Sequence, residues 1–179
     1  AENLAEKLNQ LNIERRILDK TTVQEAVAQV KKQKNEKART TVVYNPEWHK
    51  GVIGIAASKI MEIYYRPTIV FASTGDVLVG SARSVKGFNI HDAIEKCKDF
   101  VIEYGGHKYA AGLKVKKNEF KNFKEKFEQV VNSSITKEAE TKTIYIEGQI
   151  ELNEITPKFY RILKQFAPFG PGNSMPVFS

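Results

Sequence analysis

Apolar residues recur at helical spacing from the start of the chain: Leu4, Leu8, Leu11, Ile17 or Leu18, then Val23, Val27 and Val30. Glu, Lys, Gln and Arg fill the positions between them, without Gly or Pro, so the spacing predicts one long helix over 1–34. Its stripe is narrow and no capping signal opens it, as expected of a connecting helix continuing from something longer rather than one packed within a single domain. The basic, polar run 31–39 is expected to end it.

Strands and helices then alternate. A short buried strand at 41–44 leads into the loop Asn45-Pro46-Glu47-Trp48-His49-Lys50-Gly51, and a helix over 52–64 follows, apolar all round its first turns. A strand at 68–72, a turn at Ser73-Thr74-Gly75-Asp76 and a strand at 77–84 read as a hairpin. A helix over 89–103 is predicted next, capped by Asn89 and ended by Gly105. A strand at 111–116 precedes a helix capped by Asn118. Phe120, Phe123, Phe127, Val130 and Val131 fall on one face of that helix, which makes them core rather than a stacking platform. The alternation stops in a polar linker, 133–141. Beyond it come a strand at 143–150, a short helix at 157–166 with Pro157 in its first turn, the turn-rich Pro168-Phe169-Gly170-Pro171-Gly172-Asn173, and a strand at 175–178.

Composition narrows the class. The chain has 179 residues, 41% hydrophobic and 27% charged, as in ordinary globular domains. No apolar run approaches the roughly 20 residues of a membrane span. One cysteine, Cys97, excludes an internal disulfide and a Cys-based zinc site, and it fits a reducing, cytoplasmic setting. Cys97 also repeats with the apolar face of its helix and reads as core. The net charge of +7 is the first functional sign, since a basic domain attracts polyanions, nucleic acid above all.

Three stretches carry the candidate chemistry. In Trp48-His49-Lys50-Gly51-Val52-Ile53-Gly54-Ile55 a polar loop opens a helix, putting free backbone N–H groups where the dipole favours an anion. Equally, Gly51 and Gly54 would allow close helix–sheet packing, with Trp48 as a loop anchor. Gly80-Ser81-Ala82-Arg83-Ser84, at a strand end, combines hydroxyls with a guanidinium and reads as a phosphate clasp or as an ordinary strand end. Gly105-Gly106-His107-Lys108-Tyr109-Ala110-Ala111-Gly112 is either a plain connection with a surface histidine or backbone that approaches an anionic ligand beside an imidazole. Asp and His form no two-metal cluster, so these residues read as binding an anion without cutting it.

Together the three stretches, with Ala56-Ala57-Ser58 and Arg66-Pro67, resemble the DHH-associated domain of RecJ-type enzymes, the single-strand-specific 5′→3′ DNA exonucleases of the DHH phosphoesterase superfamily. Leu11-Asn12-Ile13-Glu14-Arg15-Arg16 is similar to the helix joining that family's catalytic DHH domain to this one. Pro168 to Asn173, with Pro176 and Phe178, resembles the entry to its oligonucleotide-binding (OB-fold) domain. The resemblance implies that Ser81 and Arg83 hold the 5′-phosphate. It places Gly105, Gly106 and His107 near the scissile phosphate, His107 with a catalytic role, and puts Trp48 and His49 in the cleft. It also implies Mn²⁺ or Mg²⁺ bound by a DHH domain outside this chain, none bound by the chain itself, and single-stranded DNA as partner, with single-strand-binding protein and a helicase beside it and no membrane. Many members carry a longer glycine run where Tyr104 stands here, and the family's Asp- and His-bearing catalytic motifs are absent from these residues.

The expected architecture is therefore α/β, a mixed sheet flanked by helices. A connecting helix (1–39) precedes the DHH-associated substrate-binding domain (40–134), and part of an OB-fold domain follows (141–179). The expected function is the substrate-binding part of an exonuclease hydrolysing phosphodiester bonds in DNA repair and recombination, inactive by itself. The alternatives are a DHH-family phosphodiesterase for short RNA or cyclic dinucleotides, which the onset of a further domain disfavours, and a non-catalytic module binding single-stranded nucleic acid.

Overall fold

The computed structural model describes residues 2–33, 37–170 and 172–179, which divide into two compact units, Ala1–Thr141 and Lys142–Ser179.

In the first unit α1 spans Glu2–Lys32. Its amino-terminal turns expose Leu4, Leu8 and Leu11, whereas Asp19, Thr22, Ala26 and Val30 are buried. The buried turns clasp the first strand, β1 (Thr41–Asn45). The Gln29 amide pairs with the Tyr44 backbone in both directions, Nε2 donating to Tyr44 O at 3.0 Å and Oε1 accepting from Tyr44 N at 3.2 Å. Because β1 is an edge strand, this side chain closes backbone groups that would otherwise face an open edge. Glu25 accepts from the Trp48 indole at 2.8 Å, and Asp19 pairs with Lys59 at 2.6 Å.

From β1 the chain crosses through α2 (Ile53–Tyr64) to β2 (Thr68–Thr74), the parallel return that a strand–helix–strand unit produces. Tyr65 takes a left-handed conformation after α2, its N–H donating to Met61 O at 2.7 Å, and Pro67 prevents continuation. Arg66 braces this corner, donating to Thr41 Oγ1 at 2.7 Å and to Ala38 O at 2.6 Å. Gly75, at φ 64°, turns β2 into β3 (Val77–Arg83).

The predicted helix over 89–103 is much shorter. α3 covers Ile90–Glu95, capped by Asn89, whose side chain accepts from the His91 and Asp92 N–H groups. A 3₁₀ turn at Lys98–Phe100 follows, and Glu103–His107 is a strand, β4. Gly105 is therefore no helix cap. Two adjacent glycines have little helix preference, and the neighbouring β5 (Ala110–Lys116) supplies a complete antiparallel ladder for this segment. The five strands run in the order β1-β2-β3-β5-β4, all antiparallel except the first pair.

α4 spans Phe120–Ser134 behind a 3₁₀ turn that contains Asn118, so Asn118 is not its cap. Phe123, Phe127, Val130 and Val131 are buried, as their spacing predicts. Nor is 133–141 a linker: α4 runs to Ser134, and α5 (Lys137–Glu140), capped by Thr136, buries Ala139 and pairs Glu140 with Arg39 at 2.7 Å. Glu128 of α4 accepts from the Arg39 and Thr40 N–H groups and from the Thr40 hydroxyl, which fixes the entry to β1.

One sheet face is sealed by α3 and α4 over Val42, Ile69, Phe71, Leu78, Leu113 and Val115. On the other face the packed cluster joins α1 and α2 to Val43, Val70 and Ala72 of β1 and β2, with Val79 of β3 at its edge. There Gly105, Gly112 and Lys114 of β4 and β5 stay exposed.

In the second unit Pro157 opens α6 (Pro157–Lys164), capped by the Thr156 hydroxyl. The strands expected at 143–150 and 175–178 reduce to one isolated bridge, Gly148 with Phe178, supported by a Glu147 N–H to Val177 O bond of 2.8 Å. A lone parallel pair without further neighbours is too weak to extend. Asn173 ties the turn together, donating to Phe166 O at 2.8 Å and Pro168 O at 3.0 Å, while Pro171 of this stretch lies outside the described residues.

Candidate functional site

The site lies where α2's cover of the sheet ends. Along β3, Leu78, Gly80 and Ala82 point into the α3–α4 core, which leaves Ser81 and Arg83 on the opposite face. α2 meets them with its Gly54 and Ser58, one turn apart. A Cβ at Gly54 would sit 3.0 Å from Arg83 Nη2 and 3.2 Å from Ser81 Oγ, so the glycine is what lets the helix approach the pair.

Arg83 is held in place. Nε donates to Ser58 Oγ at 3.2 Å, and Nη1 donates to Ser81 Oγ at 3.0 Å and to Ala82 O at 2.8 Å. Ser58 in turn donates to Gly54 O at 3.1 Å. Nη2 is left without a hydrogen-bond partner, and no carboxylate forms an ion pair with Arg83, among the described residues. Burial lowers its pKa from the ordinary value with no acidic neighbour to offset the effect, yet a guanidinium stays charged at neutral pH. The Ser81 hydroxyl accepts from Arg83, so its own proton is available to an anion. The amino end of α2 beside Gly54 has no side-chain cap and no acidic residue in its first turn. A fixed, half-buried cation, a hydroxyl and a helix amino end therefore converge, a donor set that suits a phosphate.

The sheet register brings in the third stretch. Ser81 pairs with Gly112, and Gly112 with Gly105; one row further, Arg83 pairs with Ala110, and Ala110 with His107. Strands are about 4.8 Å apart, so His107 stands roughly 10 Å from Arg83 along its row. The floor between them is Gly112, Gly105 and Ala110. Nothing lies within 4 Å of where a Cβ would sit on Gly105 or Gly112. A groove of about 310 Å³ runs from Gly105 and Gly112 the other way, past Val79 to the Glu103–Lys114 ion pair, 2.8 Å long, and is not lined by Arg83 or His107.

The other expected residues are placed differently. Gly106 has φ 143°, and a Cβ there would come within 2.5 Å of Ala111 Cα, so its requirement for glycine is set by the backbone. Trp48 is buried in the α1–α2 cluster with its indole bonded to Glu25, so it anchors the loop as its packing alternative predicts. His49 is exposed, and its Nδ1 accepts from Gly51 N–H at 3.1 Å, which ties the ring back to its own loop. Ser58 falls in a stretch that carries the family resemblance, but no role of its own follows from the sequence; its local signal is its position four residues after Gly54.

The clamp does not fit a divalent metal: two hydroxyls and a guanidinium offer no carboxylate, and His107 alone supplies an imidazole. Among the described residues, His91, Asp92 and Glu95 of α3 bring three ligand atoms within 4.8 Å of one another, at the surface of the helix that packs on the other sheet face. No helix among the described residues is long and apolar enough to cross a membrane.

Residues 35–133 match the DHHA1 domain family and residues 146–179 the RecJ OB domain family. The chain is 33% identical over 185 residues to the single-stranded-DNA-specific exonuclease RecJ of Escherichia coli, and 30% identical over 178 residues to that of Bacillus subtilis. Each alignment covers 98% of this chain but only 32% and 22% of the relative, so the chain spans a third or less of their length. The crystal structure of Thermus thermophilus RecJ in complex with Mg²⁺ superimposes with a TM-score of 0.86 at 28% identity, over 98% of this chain and 27% of that one; the same protein is also solved with Mn²⁺.

Proposed function

The chain belongs to the RecJ family, and from that premise we propose that it is the substrate-binding part of a single-strand-specific 5′→3′ DNA exonuclease. Ser81 and Arg83 hold the terminal 5′-phosphate, Ser58 fixes the guanidinium, and His107 stands beside the scissile phosphate one nucleoside away. Gly105 and Gly106 carry the backbone along the strand, and His49 lines the rim on the α2 side. The observation that carries this reading is Arg83 itself, fixed through Nε and Nη1, with Nη2 lacking a hydrogen-bond partner and no carboxylate paired to it among the described residues. An end-reading clamp of this kind gives an exonuclease its polarity, because only a strand whose terminal phosphate reaches Arg83 is positioned for the next bond to be cut.

The Mn²⁺ or Mg²⁺ ions of the parent enzyme are held by a DHH domain outside this chain. Strand binding and orientation are this chain's contribution, in the cytoplasm, to DNA repair and recombination, alongside a single-strand-binding protein and a helicase. The match of residues 146–179 to the RecJ OB domain favours this reading over a phosphodiesterase for short RNA or cyclic dinucleotides.

In the parent protein, Arg83→Ala is expected to weaken 5′-phosphorylated strands about tenfold or more relative to 5′-hydroxyl strands, since charge-assisted hydrogen bonds are among the strongest. Equal loss for both ends would exclude the clamp. The isolated chain is expected to release no mononucleotides from labelled single-stranded DNA with Mn²⁺, and robust release above a mock preparation would contradict its non-catalytic role.

A further inference from the structure

Of the Phe, Trp and Tyr residues described in the first unit, Tyr109 alone is exposed, at 45% of its surface. The others are buried or half-buried. Tyr109 and Lys108 form the two-residue tip of the β4–β5 hairpin. Hairpin tips are ordinarily polar and mobile, but this backbone is pinned on both sides. Ser84 N–H donates to Tyr109 O at 3.0 Å, and Ile90 N–H donates to Lys108 O at 3.0 Å. The ring is therefore presented to solvent on a fixed support, so stacking against it costs little ordering entropy. The Lys108 ammonium lies 5.4 Å from its centroid.

The tip's neighbours give it a partner. Tyr109 directly precedes Ala110, which pairs with Arg83 on one side and His107 on the other. A strand held by its terminal phosphate at Arg83 and running along this row toward His107 would end beside the hairpin tip that carries this ring. Aromatic faces accept any base, and a lysine beside one neutralises the phosphate that comes with it. A protein partner is the competing explanation for an exposed tyrosine, but an aromatic next to a lysine and an unpaired arginine on a basic chain fits a polyanion better.

We propose that Tyr109 and Lys108 form a stacking site for a nucleobase of the strand whose 5′-phosphate Arg83 holds. The site rests on the clamp reading for its direction, but its ring and its lysine are tested separately. The whole tip lies within this chain.

The test is binding of the 179-residue chain to a 5′-phosphorylated oligothymidylate labelled at its 3′ end, followed by fluorescence anisotropy at low salt. Tyr109→Ala is expected to weaken binding about tenfold, and Tyr109→Phe to stay within about twofold of the unchanged chain. Lys108→Ala should bind less tightly with a shallower salt dependence, by about one phosphate's worth of slope. Tyr109→Trp adds a direct readout: oligonucleotide should quench the new emission and inorganic phosphate should not, with buried Trp48 as the constant background. Thermal melting of each variant checks that the hairpin is intact. Tyr109→Ala binding as well as the unchanged chain, Tyr109→Phe failing with it, an unquenched tryptophan, or no binding up to millimolar oligonucleotide each overturns the site. Loss of the 5′-phosphate preference in Arg83→Ala with a silent tryptophan would leave the clamp standing and remove the stack; a quenched tryptophan with no phosphate preference would do the reverse.

Discussion

The two faces of the one sheet are built by opposite rules. On the α3–α4 face every strand contributes apolar side chains, and Phe71, Phe123 and Phe127 meet there as fully buried rings. A Cβ on Gly80 would collide with that packing, 2.5 Å from Phe71 Cε1 and 2.8 Å from Leu113 Cδ2. On the α2 face the apolar cover stops at β3. Beyond it stand Ser81, Arg83, Gly112, Gly105 and Ala110, with open space over both glycines. One face is filled with apolar side chains and the other is left open over its glycines. A glycine thus means close packing at Gly80 and clearance at Gly112.

The largest test of that contrast is Phe127→Ala, expected to cost about 3–5 kcal/mol in chemical denaturation because it opens a cavity in the filled face. A loss under about 1 kcal/mol would mean the aromatic cluster is not the stabilising core. Gly106→Ala should come next, at about 2 kcal/mol or more, since the residue combines φ 143° with a Cβ against Ala111. Hydrogen exchange of the β4–β5 hairpin is the local readout. Gly112→Ala, one strand position from that strain but on the open face, should change stability by no more than about 0.5 kcal/mol. Its denaturation midpoint shifting as far as that of Gly106→Ala would erase the distinction between the faces.

Cys97 gives the filled face a pH signature. Burial pushes its thiol up to about 11 from an ordinary value of 9.0. A group whose folded pKa is raised contributes stability that is complete below its unfolded pKa and is lost as pH rises through the folded one. The chain should therefore weaken between about pH 9 and 11, and Cys97→Ala should flatten that part of the profile. Parallel profiles for the two proteins would show that the thiol does not titrate with unfolding.

Much of this was legible in the residues. The α2 helix, the β2–β3 hairpin with Gly75 at its turn, the Asn89 cap and the phenylalanine face of α4 all follow from periodicity and turn chemistry, which are local. The three candidate stretches were visible as odd compositions. β4 was not, because Gly105-Gly106 reads as punctuation until β5 is there to pair with it. α5 was missed because its one buried residue, Ala139, sits among charges that read as a linker. Trp48 had two readings, and its indole bond to Glu25, 23 residues away, favours the anchor.

The residues alone were enough for α1, α2, the β2–β3 hairpin, the phenylalanine face of α4 and the chemistry of Ser81 and Arg83, since each depends on neighbours within a few positions. The tertiary structure decided what those residues do together. Only the register of β3, β5 and β4 sets Ser81 beside Gly112 and Arg83 in line with His107. Only the packing of α2 brings Ser58 and Gly54 onto Arg83. Hydrogen-bond register and helix placement are long-range outcomes of burying one continuous apolar surface, and no local window of sequence contains them.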